Sequence, residues 1–225
     1  MMKERPNSFV IAEVGKCIGC KACELACFAV HNRDNGVAAA AGTVTMPVIP
    51  RLQVIRTDSF TMPVQCRHCE NAPCAGVCPV QAIRQKDGVI TIDEERCIGC
   101  KACAMICPFG AISLDKVYSS GEEHKQPTLR ERQKDGLERK TRVIAYKCDL
   151  CKDITYTGNE ASGEIGPAGA ATGGNGRGLT EGGGGLVPAC VSVCPEQALK
   201  LVDPGLGVSR SRTAAGLNSL RSLEI

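Results

Sequence analysis

The chain has 225 residues, 16 of them cysteine, with only 4 Phe, 3 Tyr and no Trp. One large domain or two small ones fit that length, and with so few rings something else must fill part of the interior. The formal net charge of +3 counts every thiol as neutral, so it says little about partners until the cysteines are assigned. The polar start at residues 1–8 leads into no apolar signal-like run, Arg5 has no arginine beside it, and no 18-residue apolar span exists. The expectation is a soluble cytoplasmic protein, peripheral on a membrane at most through its partners. In a reducing compartment cysteines bind metal or do redox chemistry more often than they form disulfides.

In chain order, a strand-like run at residues 8–14 enters the first cysteine group, Cys17, Cys20, Cys23 and Cys27, spaced C-x2-C-x2-C-x3-C. Alanine-rich residues 37–42 read as a surface loop. The second group, Cys66, Cys69, Cys74 and Cys78, has four residues in its middle gap and is followed by Pro79. Residues 82–85 and 89–92 are strand-like around Lys86-Asp87-Gly88, the signature of a β-hairpin. The third group, Cys97, Cys100, Cys103 and Cys107, repeats the spacing of the first and is followed by Pro108. Residues 116–140 form a charged stretch with Pro127 and Gly136, read as a solvated crossover. A strand-like run at 142–146 then precedes a split fourth group: Cys148 and Cys151, a gap of 38 residues, and Cys190 and Cys194 before Pro195. Within that gap, residues 158–185 carry 12 of the 25 glycines, which predicts a mobile loop. No strand–loop–lysine context makes it a phosphate cradle. Residues 198–202 are strand-like, and the tail at 204–225 places Leu217, Leu220 and Leu223 at roughly helical spacing, an ordinary packing stripe.

The run C-x2-C-x2-C-x3-C-P is that of bacterial ferredoxins carrying two [4Fe–4S] clusters. A tight loop with a cysteine at every third position can wrap three corners of a cubane. The fourth cysteine is carried off by the following turn and helix to a neighbouring cube, while small residues (Gly19, Ala22, Gly99, Ala102) keep the loop close. Zinc sites use two separated C-x2-C pairs rather than a four-cysteine run, and a dithiol oxidoreductase needs one C-x-x-C rather than sixteen thiols.

CIGCKAC at Cys17–Cys23 recurs at Cys97–Cys103, and CPVQAI at Cys78–Ile83 is echoed by CPEQAL at Cys194–Leu199, so the chain is two copies of a two-motif unit. Only 18 residues separate Cys78 from Cys97, which pairs groups two and three and leaves one and four to pair across the chain. The expected fold class is α+β: two ferredoxin-like units with pseudo-two-fold symmetry, the inner inserted in the outer, with short strands and helices around four clusters. Residues 8–65 and 141–203 form the outer unit, 66–115 the inner unit, 116–140 the crossover, 158–185 the loop and 204–225 the tail. With ligand exchange inside each pair, Cys17, Cys20, Cys23 and Cys194 hold one cluster and Cys148, Cys151, Cys190 and Cys27 its neighbour. Cys66, Cys69, Cys74 and Cys107 hold the third, and Cys97, Cys100, Cys103 and Cys78 the fourth.

An oxidised [4Fe–4S] cube with four thiolates carries −2, so four of them take the formal charge from +3 to about −5 and remove the case for nucleic-acid binding. Lys16, Lys21, Arg67, Arg96, Lys101, Lys147 and Lys152 border the groups; they are surface residues, or, if they face the clusters, they raise the potentials. His68, between Cys66 and Cys69, reads as packing beside a cluster rather than ligation, and His31 and His124 carry no signal. No nucleophile–base pair or second cofactor fingerprint appears, so catalytic residues are expected to be absent and bond-making to belong to another subunit.

FVIAEVGKCIGCKACELAC, CRHCENAPCAGVCPVQAI, CIGCKACAMICPFGAI, KCDLC and PACVSVCPEQALKLVD bracket residues 9–203. With these segments the chain resembles the four-cluster ferredoxin-like subunits of the molybdopterin oxidoreductase superfamily. Within them it is most similar to the small iron–sulfur subunits of formate hydrogenlyase and of hydrogen-dependent carbon dioxide reductase. The resemblance implies an electron-transfer subunit between a molybdenum- or tungsten-dependent formate dehydrogenase subunit and a hydrogenase or second iron–sulfur subunit. An equivalent subunit of a carbon monoxide dehydrogenase–hydrogenase or other molybdoenzyme would have the same cysteines. Two departures stand out: Phe28 replaces the proline that follows the other groups, and the glycine-rich insertion lengthens the fourth.

Overall fold

The computed structural model describes residues 7–32, 47–119, 121–134, 136–151 and 187–202. The alanine-rich stretch, the glycine-rich loop, the tail and Lys152 lie outside the described residues. Elements are short throughout: β1 (Phe9–Ala12), α1 (Ala22–His31), β2 (Gln53–Arg56), β3 (Thr61–Val64), α2 (Pro73–Gly76), β4 (Ile83–Lys86) and β5 (Val89–Ile92). They are followed by α3 (Ala102–Ile106), β6 (Ser113–Lys116), β7 (Tyr118–Ser119), β8 (Glu122–Glu123), β9 (Lys125–Gln133), β10 (Gly136–Thr141), β11 (Val143–Tyr146), α4 (Ala189–Ser192) and β12 (Leu199–Val202). The result is a small mixed fold of few helices and short strands. Among the described residues no helix is long and apolar enough to cross a membrane.

The strands pair as two-stranded antiparallel ladders. The hairpin read from the sequence is β4–β5, with Ile83 opposite Ile92 and Lys86 opposite Val89. Its turn residues Asp87 and Gly88 have φ of 49° and 79°. Positive φ at both central positions gives the turn a twist that matches the strands, and Asp-Gly tolerates it. The first and last described strands close on each other, Phe9 facing Val202 and Ala12 facing Leu199. Ladder β6–β11 sets Val143 against Lys116 and Tyr146 against Ser113. Within the charged stretch at 116–140 lie the short ladder β7–β8 and the longer β9–β10 hairpin. Most of its described side chains are exposed, as the charge pattern leads one to expect.

Helix lengths follow the residue after each cysteine run. Helix α3 stops at Ile106, one residue before Cys107 and Pro108, because proline restricts the residue before it and supplies no N–H. Phe28 removes that block. Helix α1 continues for 10 residues to His31, buries Phe28, and is closed by the Asn32 N–H donating to the Phe28 carbonyl. In α2, Pro73 occupies the first turn, where its missing N–H costs nothing.

The cysteines themselves make up much of the interior. One core packs Val10, Leu52, Leu150 and Leu199 with Cys23, Cys27, Cys148 and Cys190, and Cys66 lies half-buried against it. A second packs Ile83, Ile90 and Ile112 with Cys74 and Cys103. This is how a chain so poor in aromatic residues fills its centre.

Candidate iron–sulfur sites

The repeated CIGCKAC loops adopt the same backbone. Gly19 and Lys21 have φ of 72° and 61°; Gly99 and Lys101 have 65° and 71°. A Cβ on Gly99 would overlap the carbonyl oxygen of Val143 in β11, and one on Gly19 would lie 2.9 Å from the Thr61 methyl in β3. Glycine is required at both, for its left-handed conformation and for the close approach of a neighbouring strand. The CP-x-QA turns match as well: Gln81 and Gln197 have φ of 50° and 48°, and each donates its backbone N–H to the carbonyl of the preceding cysteine at 3.1 Å.

These loops gather the thiols into fours. Cys17, Cys20, Cys23 and Cys194 line one recess together with Pro195. Cys78, Cys97, Cys100 and Cys103 line a second, and Cys66, Cys69, Cys74 and Cys107 a third, with Ile90 and Pro108. The remaining four also meet: Cys27, Cys148 and Cys190 share one core, and the Cys190 thiol feels the charges of Cys148, Cys27 and Cys151. Cys20 and Cys100 are exposed, whereas Cys27, Cys148, Cys151 and Cys190 are buried.

The donor chemistry fits iron–sulfur cubes. All sixteen thiols are free of disulfides. Burial pushes Cys23 and Cys74 up to about 11 and Cys148 to about 12, and raises Cys27, Cys151 and Cys190 for the same reason. Four such sulfurs in one spot give up their protons only to a cation that takes their charge. Backbone N–H groups already point at sulfur: Ala82 to Cys78 and Ala198 to Cys194 at 3.3 Å each, Arg51 to Cys27 at 3.3 Å, His68 to Cys66 at 3.4 Å and Ala145 to Cys97 at 3.5 Å. Such donors stabilise thiolate charge. The Gln65 amide, next to Cys66, is buried with no partner among the described residues, as is Nε2 of His68. Unpaired buried polar atoms cost about 1–3 kcal/mol each, and sulfur acceptors nearby would answer the two N–H donors, Gln65 Nε2 and His68 Nε2.

Two features escape the sequence pattern. His31 lies one helical turn beyond Cys27: its Nδ1 is 2.7 Å from the Cys27 carbonyl oxygen and 3.7 Å from Cys27 Sγ. Its Nε2 is 3.0 Å from Asp149 Oδ1, and Arg51 donates to Asp149 at 2.9 Å and to Glu94 at 2.5 Å. Burial alone would raise the Asp149 carboxyl, but the His31 hydrogen bond and the charges of His31 and Arg51 hold it well below the usual carboxylate range. Donor atoms of His31, Asp149 and Cys151 lie within 4.8 Å of one another, and the ion pairs account for that convergence. The i,i+4 spacing of Cys27 and His31 was the only signal available. Second, the bordering basic residues divide. Lys16 and Lys21 pair with Glu13 and Glu24 at the surface, Lys101 is exposed, and Arg67 and Arg96 donate to the carbonyls of Val10 and Val80. Lys147 alone among the described ones is fully buried. His68 is buried too, its Nδ1 accepting from the Ile90 N–H at 3.0 Å, as packing rather than ligation requires. Burial, and then the Lys147 charge, bring its imidazole down to about 3.

Comparison with known proteins points the same way as the thiols. The family model of the 4Fe-4S dicluster domain matches residues 57–139. Hydrogenase-4 component A of Escherichia coli K12 is 37% identical, over 87% of this chain and 82% of that protein. Formate hydrogenlyase subunit 2 of the same strain is 35% identical, over 88% and 82%. The electron transport protein HydN of that strain is 34% identical, over 88% and 89%.

Proposed function

This chain belongs to the family of 4Fe-4S dicluster iron–sulfur proteins, and on that premise we propose that it is the electron-transfer subunit between a formate dehydrogenase (carbon dioxide reductase) catalytic subunit and a hydrogenase. The single observation that carries the reading is the gathering of sixteen free thiols into four sets of four. Each set holds one [4Fe–4S] cluster: Cys17, Cys20, Cys23 and Cys194; Cys27, Cys148, Cys151 and Cys190; Cys66, Cys69, Cys74 and Cys107; Cys78, Cys97, Cys100 and Cys103. Bound there, a cluster supplies reversible one-electron storage.

The chain's own residues supply the rest. Four thiolates leave no open coordination position, so the subunit transfers electrons without making bonds. The N–H donors to Cys27, Cys66, Cys78, Cys97 and Cys194 hold sulfur charge in place. The apolar walls exclude water from the buried sulfurs, which keeps the local field strong. Cys20 and Cys100 bring two sites to the surface where partners can approach; the Cys27 and Cys66 sites lie between them, joined through the core that packs Cys148 against Cys66.

Two nested ferredoxin-like units give this arrangement its logic. The β1–β12 ladder brings groups one and four together from opposite ends of the chain, and the β4–β5 hairpin returns group two to group three. The matched φ values of the two CIGCKAC loops support a pseudo-two-fold relation. The likeness to hydrogenase-4 component A and formate hydrogenlyase subunit 2 supports a place beside a formate dehydrogenase and a hydrogenase, and the reading puts the chain with them in the cytoplasm.

The test is anaerobic purification with native partners, then spectroscopy of the clusters after adding formate and, separately, hydrogen. Bleaching and reduced-cluster EPR signals with both donors are expected. Response to neither, with about four irons per four cysteines, removes the partners and keeps the relay; absence of iron overturns the relay itself.

A further inference from the structure

Lys147 is 2% exposed, among the largest fully buried side chains of the molecule. Its Nζ donates to two carbonyl oxygens, those of Ile90 and, at 2.7 Å, Cys148. The two acceptors belong to different sites. Ile90 lines the recess of Cys66, Cys69, Cys74 and Cys107. Cys148 belongs to the set with Cys27, Cys151 and Cys190. Cys66 packs against the core that contains Cys148, so the two sets meet where Lys147 sits.

The charge there has little to cancel it. Neither acceptor is a carboxylate, and among the described residues no acidic side chain pairs with Lys147. The nearby His68 holds the Ile90 N–H through Nδ1, so that ring nitrogen carries no proton. Asp149, the nearest acidic residue in sequence, is engaged by His31 and Arg51 on its own side. A buried ammonium is costly to desolvate, and two carbonyl hydrogen bonds offset that only in part. Four thiolates on either side would complete the compensation.

We propose that Lys147 is a positioning and tuning residue: a fixed cation shared by the Cys27 and Cys66 sites that raises the reduction potential of both. The inference rests on the cluster reading above. Each site gains one electron from its donor and later passes one on, with no bond made or broken. The gain adds one negative charge, and a cation held nearby in a low-dielectric interior favours the more negative state. Raising the two middle sites together keeps the electron from lingering at either exposed end and levels the step between the two units.

The experiment is an EPR-monitored redox titration of the full chain, loaded anaerobically, with Lys147→Gln and Lys147→Arg, and with iron and sulfide measured on each sample. Glutamine keeps an N–H donor without the charge; arginine keeps the charge. In Lys147→Gln two of the potentials should fall, each by at least a tenfold loss of hold on the electron, about 59 mV for a one-electron couple. The other two should stay, and Lys147→Arg should leave all of them near the original values. Lys147→Met, of similar length, serves if the glutamine variant does not fold. Intact iron with unmoved potentials, an equal fall in all sites, or an equal fall in Lys147→Arg overturns the tuning role. So does loss of iron from both neutral variants with retention in the arginine one, which would make the charge a retention device. Absence of iron from the unaltered chain would instead sink the cluster reading.

Discussion

His31 Nε2 lies 3.0 Å from Asp149 Oδ1, joining the helix of the first cysteine group to the C-x-x-C of the fourth across 118 residues. The ring spans two ligand-bearing segments, since its other nitrogen is 2.7 Å from the Cys27 carbonyl oxygen. Arg51 completes the brace: its guanidinium holds Asp149 and its backbone N–H donates to Cys27 Sγ at 3.3 Å. One polar network therefore fixes Cys27 next to Cys148 and Cys151, although Cys27 reaches them from the other end of the chain.

Asp149→Asn tests that brace. The amide leaves Arg51 and His31 without their carboxylate, and residues that orient metal ligands typically cost about 10–100-fold in metal retention when changed. Iron release to a chelator should speed up by roughly that factor for one quarter of the iron. Uniform release from all sites would show that Asp149 supports the fold as a whole.

Ligand exchange gives the second prediction. Cys97→Ser should lower iron by about four atoms per chain and interrupt electron flow, while Cys27→Ser should disturb the site of Cys148, Cys151 and Cys190 and spare that of Cys17, Cys20 and Cys23. Unchanged iron in Cys97→Ser would sink that ligand assignment. Loss from the Cys17 site in Cys27→Ser would sink the exchange, and cysteine-specific labelling of each variant tells the sites apart.

The cysteine groups were legible because a cube demands fixed spacing, and the β4–β5 hairpin because Asp87-Gly88 is the turn its twist requires. Phe28 was legible as a departure, but not that it would lengthen α1 to His31. The long hairpin over Lys125–Thr141 was hidden, since a water-facing ladder of alternating charges has no apolar period to read. So were β2 and β3, in which Gln53, Ile55 and Arg56 are exposed and Pro63 interrupts the pattern. Lys147 and Asn7 could not be told from surface residues, because burial of a polar side chain depends on partners 57 and 61 positions away.

The glycines of the repeated loop should differ in what they tolerate. Gly99→Ala combines a φ of 65° with overlap of the Val143 carbonyl, a rigid strand atom. Gly19→Ala meets only the Thr61 methyl at 2.9 Å, and Gly110→Ala, at φ 59°, meets nothing within 4 Å. The left-handed conformation alone costs about 1–2 kcal/mol, so Gly110→Ala sets the baseline. Denaturant midpoints of the loaded chains should fall in the order Gly110→Ala, Gly19→Ala, Gly99→Ala, the last also losing iron from the Cys97 site. Equal losses in all three would show that backbone strain, not the approach of β11, is what the glycine relieves.

Asn7 is fully buried, and its amide works in two directions. Nδ2 donates to the carbonyls of His68, at 2.9 Å, and Cys69, at 3.2 Å, while Oδ1 accepts from Gln85 Nε2 at 2.9 Å. The next residue continues the seam, with the Ser8 N–H donating to the Gly88 carbonyl at 3.1 Å. The start of β1 is thereby fastened to the turn carrying Cys66 and Cys69 and to the β4–β5 hairpin. Asn7→Leu keeps the volume and removes the hydrogen bonds, exposing those carbonyls to an apolar neighbour at about 1–3 kcal/mol for each unpaired group. The thermal midpoint of the loaded chain should drop, with iron lost first from the Cys66 site, whose turn loses its anchor. Asn7→Asp retains the acceptor for Gln85 but not the donors, so it should resemble Asn7→Leu. An Asn7→Asp chain as stable as the original would show that the bond from Gln85, rather than the two to the cysteine turn, is what fastens the segments.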